Sequence, residues 1–364
     1  MKKILVLTNN DVGLFKFRKE LLGELVKDYK VFISLPIGKL VPSLEKIGCE
    51  FIETDFNRRG INPIMDFILL LKYRRMLKTI NPDIVLTYTV KPNIYGSLNC
   101  KMTKIPYICN ITGLGTAIEE GNFLSKIILW MYKIGLKKAF CVFFQNQPNL
   151  ELFKNKGIVN NNYRLIPGSG VNIDEYVYEE YPEERPITKF LYIGRIMKAK
   201  GIDELLEAAK IIKQKNDNVQ FNIVGDIEDD YSEILMEYAN NKTINYYGHQ
   251  DDVKPFIKDS NAIILPSYHE GMANVLLETA ATGRPILASR VAGCKETFDD
   301  GITGLGFEPR NIDSLINTIV EFIKLPYEKK KEMGFIGRKK IEQEYDRKIV
   351  IKSYMNEINR FSAK

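Results

Sequence analysis

Short apolar runs alternate with helix-like patterns twice along this chain, and the rhythm breaks once, over 166–188. A short apolar run bounded by turn residues predicts a buried strand. Strands alternating with amphipathic stretches predict parallel sheets covered by helices. The first series places strands at 3–7, 30–35, 49–54, 84–88, 107–111 and 140–145, a loop at 8–13, and helices at 17–27 and 63–80. The second places strands at 189–193, 220–224, 244–247, 262–265 and 285–289, with helices at 202–214, 231–240 and from Asn274. After a glycine-rich stretch at 301–306, helices at 312–324, 327–344 and 348–361 close the chain. Between the series, Ile166-Pro167-Gly168-Ser169-Gly170 runs into Tyr-, Glu- and Pro-rich sequence, the composition of a linker. The expected fold class is therefore α/β, with two doubly wound, Rossmann-like domains. They cover 1–168 and 189–345, joined by a linker at 169–188, with a C-terminal helix at 346–364. A length of 364 residues suits two domains better than one.

Charge separates the halves. Residues 1–168 carry 25 Lys and Arg against 13 Asp and Glu, while the remainder carries 27 against 33. The basic half suits an anionic partner such as a membrane surface or a phosphorylated lipid. No dense basic stretch or recognition motif points to nucleic acid. Two segments of the basic half mix Lys and Arg with Trp, Tyr and aliphatics. Arg58-Arg59 lead into 63–75, and Phe123 to Lys138 contains Trp130 and Tyr132. That pattern fits either interfacial helices or core helices with solvated basic faces. The five cysteines are scattered without a CxxC pair, and there are only two histidines, so no zinc site is expected. The aspartate pairs at 229–230, 251–252 and 299–300 read as solvated turns. Lys2 and Lys3 precede an apolar run too short for a signal-peptide core, and no run reaches the roughly 20 residues of a membrane span. A cytoplasmic protein is expected.

The chemistry concentrates in the second half. His269-Glu270-Gly271-Met272-Ala273-Asn274-Val275-Leu276-Leu277-Glu278 follows the strand at 262–265. Small residues at Gly271 and Ala273 let a ligand approach the backbone, and a helix starting near Asn274 offers free N–H groups and a positive dipole end to a phosphate. Carboxylates at Glu270 and Glu278 repel phosphate and suit sugar hydroxyls. The ligand combining these needs is a nucleotide sugar. Gly194-Arg195-Ile196-Met197-Lys198-Ala199-Lys200-Gly201 follows another strand, where Arg195 and Lys200 suit a diphosphate. Asn110-Ile111-Thr112-Gly113-Leu114-Gly115 lacks the spacing of a dinucleotide fingerprint and reads as a loop lining the site. Asp11 is a possible carboxylate base that nothing singles out.

This combination resembles the retaining glycosyltransferases of family GT4. The match includes Gly248-His249, Gly283-Arg284-Pro285, Gly293-Cys294-Lys295-Glu296 and Gly301-Ile302-Thr303-Gly304. The resemblance implies a GT-B fold, with two Rossmann-like domains facing a central cleft. Arg195 and Lys200 would hold the donor diphosphate and Glu278 the ribose. Glu270 and the backbone of Gly271 to Val275, with Gly194, would contact donor sugar and phosphates. His249 and Gln250 would border the base, and Gly13 would approach from the first domain. Glu270, Arg195 and Lys200 would carry catalysis. No metal and no other cofactor is expected.

The segments 87–96 and 110–115 are similar to transferases that extend undecaprenyl-diphosphate-linked sugars in capsule, O-antigen or protein-linked glycan assembly, one type adding N-acetylgalactosamine. That implies a UDP-sugar donor and a polyprenyl-diphosphate-linked saccharide acceptor. Arg58, Arg59, Lys91, Thr112 and Gly113 are the expected acceptor contacts, and the enzyme would sit on the inner face of the cell membrane. Some GT4 members have a first-domain histidine where this chain has Thr112-Gly113, so that role is not carried over. A nucleotide-sugar epimerase and a non-catalytic lipid-linked glycan-binding protein are the competing readings.

Overall fold

The computed structural model describes residues 1–56, 62–113, 123–228 and 230–362. They form two compact units, Met1–Ser169 with Val350–Lys364, and Gly170–Ile349.

The first unit is built on a parallel sheet of strands β1 (Lys3–Leu7), β2 (Lys30–Leu35), β3 (Glu50–Glu53), β4 (Ile84–Tyr88), β5 (Tyr107–Ile111), β6 (Cys141–Phe144) and β7 (Tyr163–Leu165). Their order is β3-β2-β1-β4-β5-β6-β7. Side chains alternate across the sheet. Ile4, Val6, Leu86, Ile108 and Phe143 meet Leu14, Leu21 and Leu25 of helix Asp11–Asp28, and also Val350, Tyr354 and Ile358 of the closing helix Arg347–Ser362. Leu5, Leu7, Val85, Cys109 and Phe144 face the helices Pro63–Ile80 and Phe123–Leu136. Arg18, nearly fully buried, lies between the rings of Tyr88 and Tyr354, 5.2 Å and 5.8 Å from their centroids.

The second unit holds β8 (Thr188–Ile193), β9 (Val219–Val224), β10 (Asn245–Tyr246), β11 (Ala262–Leu265), β12 (Ile286–Ser289) and β13 (Gly304–Phe307), ordered β10-β9-β8-β11-β12-β13. Strand order reverses between β8 and β11, and ligands of open α/β sheets bind at the carboxyl end of that switch point. The two loops leaving this point are 194–201 and 266–273, the ones the sequence marked for chemistry.

Three departures from expectation have physical causes. Helix Asp11–Asp28 starts earlier than 17, because Asn10 caps it by accepting from the Gly13 N–H at 2.5 Å. Gly13 is thus in a helical first turn rather than a loop. The glycine stretch at 301–306 contains strand β13, whose Gly304 is needed because a Cβ would run into the Ile286 carbonyl. The segment 169–188 packs on the second unit for nearly all its length. The Arg284 guanidinium, 1% exposed, donates to the carbonyls of Glu179 (2.8 Å), Glu180 (2.9 Å) and Lys258 (2.9 Å). Arg338 donates to Tyr176 O and Ala281 O, both at 2.7 Å. Among the described residues, no helix is long and apolar enough to cross a membrane.

Candidate active site

Three glycines let the strand ends of the second unit crowd together. Gly194 N donates to Val224 O at 3.0 Å and Gly225 N to Gly248 O at 2.9 Å. Gly225 has φ +150°, and a Cβ there would strike the Gly194 carbonyl. Beyond them, Ile196 pairs with Ile227, Arg195 Nη1 meets Glu228 Oε2 at 2.7 Å, and Tyr192 donates its hydroxyl to Arg195 O. Arg195 is 42% exposed, so its guanidinium stands at the surface with one carboxylate partner.

The loop 194–201 is fastened to the loop after β11. Tyr268 N donates to Ala199 O at 3.0 Å, and Gly201, at φ +70°, leaves no room for a Cβ against Pro266 O. This seam brings Lys200 Nζ within 2.5 Å of Glu270 Oε1, and the Ser267 hydroxyl donates to the same oxygen at 2.8 Å. Both charged side chains are largely buried, at 18% and 14% exposure. A third loop supports Glu270 from behind. Its N–H donates to Ala292 O, Ala273 N donates to Gly293 O, and Gly293 at φ +81° lies against the Glu270 backbone. Buried Cys294 lies close by. Burial, and then Glu270, push its thiol well above the ordinary range.

Helix Asn274–Ala281 starts at this point with Ala273 as its N-cap, and no side chain caps its first turn. Its N-terminal dipole end therefore stands beside the Lys200–Glu270 pair without a local acceptor from a side chain. Asn274 adds a buried Oδ1 with no partner. One turn on, half-buried Glu278 is hydrogen-bonded by the phenol of Tyr176. Burial first, and then Glu278, hold that phenol in its protonated form, far above its usual range. Tyr176 also lines a cavity of about 320 Å³ together with Val177, Lys254, Pro255 and Thr282.

The remaining expected residues are placed as follows. Met272 and Ala273 have their side chains in the hydrophobic core, so what they offer a ligand is backbone. Gly271 and Val275 are half-buried beside them. Exposed His249 stands between Asp226 (2.9 Å) and Asp251 (3.2 Å), and Gln250 donates to Tyr247 O. In the first unit, Lys91 forms a 2.6 Å ion pair with Asp66, and Tyr95 bonds the same carboxylate. Thr112 and Gly113 follow β5, half-buried. Asp11 accepts from Leu40 N at 2.7 Å, a loop-holding contact. Arg58 and Arg59 lie outside the described residues, as does Asp229. Among the described residues no three His, Cys, Asp or Glu side chains gather as metal ligands would.

Sequence reasoning missed Ser267, Glu228, Asp66 and Tyr176. Each is the partner of a singled-out residue. Ser267 alone carried a signal, as a small hydroxyl residue at a strand end beside Glu270.

Two family models match the chain, Glycosyl transferases group 1 over 179–340 and Glycosyl transferase 4-like over 3–146. The chain belongs to these glycosyltransferases. It is 28% identical, over 97% of both chains, to N,N'-diacetylbacillosaminyl-diphospho-undecaprenol alpha-1,3-N-acetylgalactosaminyltransferase of Campylobacter jejuni. It is 24% identical to the capsular polysaccharide biosynthesis glycosyltransferase CapM of Staphylococcus aureus, over 98% of this chain and 96% of that one. Its fold matches the crystal structure of Anabaena HepE in complex with UDP and glucose. The TM-score is 0.79 at 18% identity, over 99% of this chain and 100% of that one. The fold of this glycosyltransferase is GT-B.

Proposed function

We propose that this glycosyltransferase moves a sugar from a UDP-sugar to a polyprenyl-diphosphate-linked saccharide during surface-glycan assembly, with retention at the anomeric carbon. The observation that carries the reading is the largely buried Lys200–Glu270 pair beside an uncapped helix N-terminus, at the switch point of the second sheet. The Campylobacter relative, named for an N-acetylgalactosaminyl transfer to a diphospho-undecaprenol-linked sugar, supports an N-acetylhexosamine donor and that acceptor class.

In this mechanism the donor diphosphate lies against Arg195, Lys200 and the Val275 N–H at the start of the helix. Lysine has three N–H donors, so an ammonium held by Glu270 still has two for phosphate oxygens. The bond between the anomeric carbon and the diphosphate oxygen breaks as negative charge builds on that oxygen, and these fixed positive groups stabilise it there. The acceptor hydroxyl attacks from the same face and passes its proton to the departing phosphate oxygen. Glu270 orients Lys200 and receives sugar hydroxyls, and Glu278 holds the ribose. The positive groups are supplied by the chain itself, so the scheme needs no metal.

Lys91, Thr112 and Gly113 are proposed to meet the acceptor. Exposed Phe67 (59%) and Trp130 (62%), on helices that also carry Lys72, Arg74, Arg75, Lys126 and Lys133, suit the inner face of an anionic membrane. The test is transfer from a panel of UDP-sugars to a polyprenyl-diphosphate-linked sugar, in detergent, with and without EDTA. Metal-independent product is expected, reduced more than about tenfold in Glu270→Ala or Arg195→Ala. Absence of both transfer and UDP-sugar binding would overturn the reading.

A further inference from the structure

The most informative unassigned residue is Tyr176, which lies in the segment read from sequence as a linker. Its ring packs against the core of the second unit and its phenol donates to Glu278. Its backbone is fixed at two points: Tyr176 N donates to Asn172 O at 2.9 Å, and Tyr176 O accepts from Arg338 at 2.7 Å. The same Arg338 guanidinium donates to Ala281 O, in the last turn of the helix that carries Glu278. Arg338 is itself only 8% exposed and is anchored by Glu342 at 2.8 Å. A rigid bracket thus joins the phenol to the helix whose carboxylate it touches.

We propose that Tyr176 is a positioning residue that fixes Glu278 for recognition of the donor ribose, and so sets the preference for ribose over deoxyribose. This rests on the proposed role of Glu278. A carboxylate has about four lone-pair directions. The Tyr176 hydroxyl occupies one of them and favours a single rotamer of the side chain, in which a further direction can take a ribose hydroxyl. A free glutamate side chain samples several rotamers and must lose that freedom when the ribose binds. With Tyr176 in place, the loss is met on folding.

The test compares binding of UDP, 2′-deoxy-UDP and 3′-deoxy-UDP by calorimetry to the whole protein, to Tyr176→Phe and to Glu278→Gln. Phenylalanine keeps the ring and its packing and removes only the hydroxyl. The expected result is that Tyr176→Phe weakens UDP by about tenfold and leaves at least one deoxy analogue nearly unchanged, so that their ratio collapses toward one. A purely structural role would weaken all three ligands alike and preserve the ratio, which would overturn the proposal. Glu278→Gln separates the two layers of the argument. If it alters the ratio while Tyr176→Phe does not, the ribose reading stands and the positioning role is wrong. If it leaves the ratio untouched, Glu278 does not read the ribose, and the role of Tyr176 is lost with it.

Discussion

Removing the Lys200 ammonium, as in Lys200→Met, separates what the Lys200–Glu270 pair does for stability from what it does for catalysis. The substitution strands a carboxylate that is 14% exposed. Breaking a buried pair from one side costs about 3–5 kcal/mol. Glu270 keeps the Ser267 hydroxyl at 2.8 Å and a little solvent, so the expected cost falls to about 2–3 kcal/mol. For a unit the size of Gly170–Ile349, each kcal/mol moves the midpoint by about 2–4 °C, which gives a fall of about 5–10 °C. Glu270→Gln costs less, about 1 kcal/mol, because the flexible lysine stem can carry its charge out to water. The double variant removes both charges, and its glutamine still accepts from Ser267. It is expected to cost about 1–2 kcal/mol, about 1 kcal/mol less than Lys200→Met alone, a coupling of about 2 kcal/mol. Transfer should stay at least about 100-fold down in Lys200→Met and in the double variant. Urea unfolding gives the stabilities and UDP release gives the rates. Equal stabilities for Lys200→Met and the double variant would refute the pair's structural role. Recovery of transfer in the double variant would refute its catalytic one.

Two further outcomes are expected. Arg284→Met should destabilise the second unit by about 3–5 kcal/mol, since it removes the hydrogen bonds of the guanidinium to the carbonyls of Glu179, Glu180, Lys258, Thr282 and Gly283, and should expose 175–187 to limited proteolysis; an unchanged cleavage pattern would count against the pinning role. Burial pushes the thiols of Cys49, Cys109 and Cys141 up to about 12 from an ordinary 9.0, so they should resist alkylation at pH 8 until the chain is unfolded. Because the folded state holds these protons longer, their contribution to stability is complete below pH 9 and is lost as pH rises toward 12; stability flat across that window would contradict it.

The strands and long helices were legible because burial writes a period into sequence. Pro63–Ile80, Ile84–Tyr88, Tyr107–Ile111 and Ala262–Leu265 form over the residues the pattern marks. Strand β13 was hidden because Gly304 lets the Ile286 carbonyl approach and Gly306 makes room for the Arg290 side chain, neither of which hydrophobic patterning records. Of the candidate site, Arg195, Lys200, Glu270 and Glu278 were visible as charged residues next to glycines at strand ends. Their partners were not. Tyr176 is 102 positions from Glu278 in the chain and sits among residues with the composition of a linker. Lys200 and Glu270 were each assigned to the ligand, and sequence gave no sign that they hold each other.

The return of the closing helix to the first sheet also sets an order of events at the ribosome. Tyr354, which covers Tyr88, Phe143 and Arg18, is made only after the whole of Gly170–Ile349 has been translated. At about 5–20 residues per second, that stretch takes on the order of 10–40 seconds. Throughout that interval the nascent first half carries an uncovered aromatic face and a guanidinium lacking one of its two stacking rings. The helix that seals the first unit is made after the second, so a message that ends before it would release a chain with its first core still open.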